Sequence, residues 1–161
     1  MSVKIFRHEG GLYTLYAKQT VNKDIDILWD FFKDPENLNK LTPKDLHFEI
    51  KSGISEDLYE GQIISYKIKP FKLINLNWIT EISHLKEKSY FIDNQMSGPY
   101  KLWHHEHHFK RNSDGTTKII DKVKYKVPFY ILGRFAHKMF IRRKLYNIFK
   151  FRQEKINSLF T

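Results

Sequence analysis

The 161-residue chain contains no cysteine. That excludes thiolate metal sites, thiol nucleophiles, redox pairs and disulfides. At this length a single domain, expected over residues 1–161, can bury roughly two-thirds of its unfolded surface without any such staple. Long apolar runs are also missing. Stretches such as Phe129-Tyr130-Ile131-Leu132 fall far short of the roughly 20 residues a membrane span needs. Residues Met1 to Glu9 hold no continuous apolar segment of a secretory signal, so the expected location is cytoplasmic. There is no internal repeat, linker, low-complexity tract or phosphate-cradling glycine loop.

Aromatic residues, by contrast, are plentiful. Thirteen Phe, nine Tyr and three Trp make up 16% of the chain, which excludes wholesale disorder and implies a large apolar interior with room left in it. Acidic residues are outnumbered, 18 against 28 basic, for a net charge of +10. Residues 1–80 carry 11 of each sign, whereas residues 81–161 carry 17 basic and 7 acidic side chains. A field concentrated in one half can attract nucleic acid, anionic lipid or an acidic partner, or serve solubility alone.

Hydrophobic periodicity divides the chain into elements. Gly11 to Val21 reads as a first strand. Asn22 or Asp24 can cap a short helix through Ile25, Ile27, Leu28, Trp29, Phe31 and Phe32, and Asp34-Pro35-Glu36 ends it and starts another carrying Leu38 and Leu41. Six strands follow: Leu46 to Ile50, Gln62 to Lys69, Asn75 to His84, Ser89 to Met96, Leu102 to Lys110 and Thr116 to Val127. Arg111 to Gly115 forms the turn between the last two. After Pro128 the spacing predicts a helix of about 30 residues reaching almost to Thr161. Its apolar face runs through Leu132, Phe135, Ala136, Met139, Tyr146, Phe149, Ile156 and Phe160, with Arg134, Lys138, Arg142, Arg152 and other cations filling the rest. The expected architecture is α+β: a curved antiparallel sheet of about seven strands with two short helices, wrapped around the C-terminal helix. A cavity for a small ligand is expected between sheet and helix.

Three stretches carry a family resemblance: Gln95 to Phe109, Gly115 to Pro128, and the helix end Leu145 to Arg152. With the early Asp34-Pro35-Glu36 turn, they make the sequence resemble the helix-grip fold of the START, polyketide-cyclase and birch-pollen-allergen superfamily (SRPBCC). The resemblance is strongest to its bacterial ligand-binding-like, cell-division-inhibitor-like branch. It implies binding of lipids, sterols, hormones or polyketides in most members, cyclisation or dehydration in a minority, and adaptor roles in others. Fold alone does not choose among these.

Within Leu102 to Lys110, alternation puts Trp103, His105, His107 and Phe109 on the cavity face and His104, Glu106 and His108 on the outer one. If Phe109 pairs with Thr117, His107 faces Ile119 and His105 faces Asp121. A carboxylate opposite an imidazole fixes its tautomer and raises its pKa, one requirement for acid–base chemistry. A buried His–Asp pair more often only satisfies two polar groups. Two His at i and i+2 can also reach one zinc, but the third ligand would have to be Asp121 or Glu81 and no helix supplies another His, so neither metal nor cofactor is expected. Further cavity-lining candidates are Tyr66, Trp78, Tyr90, Tyr100, Trp103 and Tyr125, together with Phe135 and Met139 from the helix.

The leading expectation is a module that binds a hydrophobic or amphipathic small molecule. One alternative is a cyclase- or dehydratase-type enzyme using His105 or His107 with Asp121. Another is a protein-interaction adaptor using a basic face of Lys110, Lys118, Lys122, Lys124 and Lys126. A weak electrostatic contact with anionic membrane fits the charge. Specific nucleic-acid binding is not expected, because the cations are not interleaved with exposed aromatics in a recognised module. Oligomeric state is left open.

Overall fold

A computed structural model describes residues 2–71 and 74–160; Met1, Lys72, Leu73 and Thr161 lie outside it. Among the described residues, eight strands form one antiparallel sheet in the order β1-β2-β8-β7-β6-β5-β4-β3. They are β1 (Ser2–Arg7), β2 (Leu12–Val21), β3 (Glu49–Ser52), β4 (Ile63–Phe71), β5 (Ile74–Lys86), β6 (Tyr90–Ser97), β7 (Leu102–Arg111) and β8 (Thr117–Lys126). The expected α+β helix-grip architecture is present, with one strand more than anticipated. The added strand, β1, pairs Val3 with Ala17 and Ile5 with Leu15 on β2, after a tight turn in which Gly10 and Gly11 both take positive φ. Only Val3 and Ile5 give β1 an apolar face, a weak signal in a six-residue strand.

Between β2 and β3 the chain makes helix α1 (Ile25–Lys33) and a 3₁₀ helix over Pro35–Leu41. Asp24 caps the first by accepting from the Asp26 N–H at 2.8 Å, and Asp34 caps the second by accepting from Glu36 N–H at 2.9 Å. These are the capping positions that local side-chain chemistry favours. Ile25, Leu28, Trp29 and Phe32 turn inward from α1. The expected strand at Leu46 begins later, at Glu49. Lys44–Leu46 forms a 3₁₀ turn that buries Leu46, and His47 leaves it in the left-handed region. After β3, Gly53 has φ +90 and a Cβ there would collide with the Ile63 carbonyl oxygen, so only glycine fits this approach.

After Pro128 the chain runs as helix α2 (Tyr130–Ala136), a π-helical turn over His137–Ile141 and helix α3 (Arg142–Phe160), without a break. Two groups of buried side chains join sheet to helix. One gathers α1, β4 and Phe160; the other joins Leu15, Val123 and Tyr125 to Leu145 and Phe149. Among the described residues no helix is long and apolar enough to cross a membrane.

Candidate ligand cavity and its polar cluster

A cavity of about 320 Å³ lies between the concave sheet face and the C-terminal helix. Alternation along β5 aims Leu76, Trp78, Thr80 and Ile82 into it, and Ile141, Leu145, Ile148 and Phe149 close it from the helix side. Of the residues expected there, Tyr66, Trp78, Tyr100, Trp103, His105 and His107 line it. Trp78, Tyr100 and Trp103 pack as an aromatic trio with ring centroids 4.8–5.6 Å apart. Burial raises the Tyr66 and Tyr100 hydroxyls above the usual phenol range, so both are neutral donors. The Trp78 indole N–H is buried without an acceptor among the described residues.

Five candidates lie elsewhere. Tyr90 is on the outer face, paired with His108 and 5.8 Å from its ring. The sequence could not fix this, because Tyr90-Phe91-Ile92 is apolar at every position; the inward residue is Phe91, which does line the cavity. Tyr125 is fully buried beside the cavity, its hydroxyl 2.7 Å from His137 Nε2. Asp121 sits behind the His105–His107 pair. Phe135 and Met139 are 64% and 52% exposed and point away from the sheet, so their assignment to the lining is corrected. The inward positions of that stretch are Gly133, His137 and Ile141, four residues apart through the π turn.

The polar part of the cavity wall is built on three strands and the helix. The β7–β8 register pairs Phe109 with Ile119, His107 with Asp121 and His105 with Val123, two residues from the expected pairing. The turn explains the shift: Asn112 N–H donates to the Thr116 carbonyl at 2.8 Å, leaving Ser113-Asp114-Gly115 as the loop, with Gly115 at φ +80. Asp121 still reaches both imidazoles, at 3.1 Å from His105 Nε2 and 3.1 Å from His107 Nδ1. On the opposite side of the two rings is Asp93, carried by β6 directly across from His105. Its Oδ2 lies 2.8 Å from His107 Nε2 and 3.4 Å from His105 Nδ1. The rings themselves are 3.7 Å apart, sandwiched between the carboxylates.

Arg152 completes the cluster. Expected on the cationic surface of the helix, it is 6% exposed. Its Nη2 is 3.3 Å from Asp121 Oδ1 and 3.2 Å from His107 Nδ1, and its guanidinium lies over the Phe32 ring. Arg152 can only donate, so His107 Nδ1 accepts and Nε2–H donates to Asp93. Burial works against ionisation of Asp121, but Arg152 and the two imidazoles outweigh it and hold its carboxyl well below the usual range. Burial is outweighed in the same way at Asp93, by His105, His107 and Arg152. His105 is pushed down to about 4, by burial and then by its neighbour His107, against the pull of the carboxylates. Two carboxylates therefore face one guanidinium and two imidazoles, of which His105 is held neutral.

Asp93 and Arg152 escaped the sequence reading. Asp93 shares the inward parity of Phe91, an acidic residue at a core position. That signal was present, but the β6–β7 register that makes it meaningful was not. On the outer face, Glu106 draws Lys122, Lys124, His104 and His108 to within 3.0–3.6 Å and has its pKa lowered to about 2, with burial opposing and His108 and Lys122 prevailing. The basic outer face is thus partly neutralised from within.

No family model and no curated protein matches the sequence. Solved structures do. Major latex-like protein 151 from Panax ginseng is similar at TM-score 0.68 and 11% identity, over 94% of this chain and 99% of that one. TTHA0849 from Thermus thermophilus is similar at TM-score 0.66 and 13% identity, over 92% and 99%. A Thalictrum norcoclaurine synthase, solved with a transition-state analogue, is similar at TM-score 0.64 and 13% identity, over 99% and 96%. Together they show that this chain has the helix-grip fold that the resemblance implied.

Proposed function

We propose that the protein binds a hydrophobic or amphipathic small molecule, of lipid or polyketide type, between the sheet and the C-terminal helix. The observation that carries this reading is a cavity of about 320 Å³ with aliphatic and aromatic walls, a charged cluster, and an indole N–H that no described residue pairs. That volume and that mix of many apolar groups with a few convergent polar ones are typical of small-molecule sites. The enzymatic alternative is less well supported, because His105 and His107 are already held between two carboxylates and an arginine. Native mass spectrometry of protein purified gently from its host is expected to show an added mass of a few hundred daltons. Trp78→Ala or Trp103→Ala should remove it. A clean apo mass with no shift against lipid and polyketide panels would sink the reading.

A second observation favours an anionic membrane as the place where such a molecule is exchanged. Phe129, Ile131, Leu132, Phe135, Met139 and Phe140 are all more than half exposed, interleaved with Arg134, Lys138, Arg142 and Arg143. Exposed apolar clusters of this size mark interaction sites, and apolar groups set among cations suit an anionic headgroup layer. The stretch adjoins the cavity, which Ile141 and Lys144 line. Co-sedimentation is expected with phosphatidylserine-containing vesicles and not with pure phosphatidylcholine, and Leu132→Ser with Phe135→Ser should abolish it. A salt-independent dimer in light scattering, with no vesicle binding, would assign the surface to a second copy instead.

A further inference from the structure

We infer that Asp93, His105 and His107 form a site for a divalent first-row transition-metal ion opening onto the cavity. The donor atoms Asp93 Oδ2, His105 Nδ1 and His107 Nε2 supply one carboxylate oxygen and two imidazole nitrogens, and a ligand atom from each residue lies within 4.8 Å of the others. The two edges that meet at Asp93 Oδ2 measure 2.8 and 3.4 Å. A four- to six-coordinate ion with bonds of roughly 2.0–2.2 Å places neighbouring ligand atoms about 2.8–3.6 Å apart. The third donor was not Asp121 or Glu81, as the sequence suggested, but a residue on the other neighbouring strand.

The surroundings fit a metal as well as the three donors do. The far nitrogens, His105 Nε2 and His107 Nδ1, each lie 3.1 Å from one oxygen, Asp121 Oδ1. That is the carboxylate–histidine–metal arrangement, in which an outer carboxylate takes the imidazole protons and turns the opposite nitrogens toward the ion. Arg152 anchors Asp121 at 3.3 Å. His105 already donates from Nε2 to Asp121. With an ion bound, His107 would carry its proton on Nδ1 toward Asp121 and give up its contact with Arg152, which would keep its own contact with Asp121. Asp93, His105 and His107 line the cavity whereas Asp121 does not, so the ion's remaining positions face the ligand space. A set of two imidazoles and one carboxylate, without thiolate, suits zinc, iron(II), cobalt(II) or manganese(II) ahead of calcium or magnesium.

The experiment is titration of chelator-treated, full-length protein with cobalt(II), read by its visible d–d absorption, and with zinc by calorimetry. One ion per chain is expected. Asp93→Asn should weaken binding by more than the roughly 10–100-fold that Asp121→Asn, an outer-sphere change, is expected to cost. His104→Gln with His108→Gln, on the outer face, should leave binding unchanged. In wild-type protein, zinc should shift the imidazole ¹⁵N resonances of His105 and His107 while those of His104 and His108 stay in place, a readout that needs no core variant to fold. Absence of a one-to-one cobalt spectrum, or equal loss with the outer-face variant, overturns the site. So does an unmoved His105–His107 pair. The site stands apart from the proposed organic ligand: a cobalt spectrum with an empty cavity removes the carrier reading alone, and a bound lipid without metal removes only the ion.

Discussion

The two parts of the C-terminal helix have opposite fates, and the more apolar of them is the more exposed. In α3, Leu145, Phe149, Ile156 and Phe160 are buried against the sheet, and even the cation Arg152 is inside. In α2 and the π turn, Leu132, Phe135, Met139 and Phe140 face outward, and the inward positions belong to Gly133 and His137. Gly133 is forced by contact: a Cβ there would run into the Pro128 carbonyl oxygen. His137 stacks on Tyr13 at 3.6 Å and bonds to Tyr125. Apolar spacing therefore predicts that a helix has an oily face, and the concavity of the sheet decides whether that face is inside.

The comparison can be broken at several points. The largest effect is expected from Arg152→Ala, which strands Asp121 in the interior and should cost about 3–5 kcal/mol in urea unfolding. Arg134→Ala, on the outward half, should stay within about 0.5 kcal/mol. If the two were equal, Arg152 would not be the internal counter-ion its contacts indicate. Phe149→Ala should cost about 3–5 kcal/mol through the cavity it leaves. Phe135→Ala should change stability by less than about 0.5 kcal/mol while weakening vesicle binding. A stability loss at Phe135 matching that at Phe149 would show the first half of the helix to be packed after all.

His137 sharpens the boundary between the halves. Burial, then Arg142 and Arg7, lower its pKa from 6.5 to about 4. A histidine lowered on folding contributes stability that is complete above about pH 6.5 and lost as pH falls toward 4, because the unfolded chain binds the proton first. The loss from this residue amounts to about 3 kcal/mol at most. His105, shifted the same way, adds to the slope. His137→Gln should flatten the fall between pH 6.5 and 4 without abolishing it, as followed by thermal unfolding across that range. An unchanged slope would mean that His137 is hydrated in the folded protein.

Much of this was legible in the sequence because it depends on local chemistry. Asp24 and Asp34 cap what they should, alternation put His105 and His107 inward with Trp103, and Gly115 marked the last hairpin. What escaped depends on relations between segments. A three-residue loop in place of a five-residue one moved the β7–β8 register by two, so that His107 and not His105 pairs with Asp121. Because that shift is even, every side chain kept its face and the His–Asp contact survived. Asp93 and Arg152 gain their meaning only from the β6–β7 register and the rotation of α3 about its axis. Strand β1, with only Val3 and Ile5 on its apolar face, carried too weak an alternation to announce itself.

The π turn over His137–Ile141 works as a setting of phase. Successive residues of an α-helix are offset by roughly 100°, and a π turn of this kind lodges an extra residue in one helical turn. Deleting one residue there would rotate α2 against α3 by about that angle and carry Phe135 and Leu132 away from their present heading. The direction in which the molecule shows its apolar surface is thus fixed by the count of residues in one turn of helix, whatever their identity.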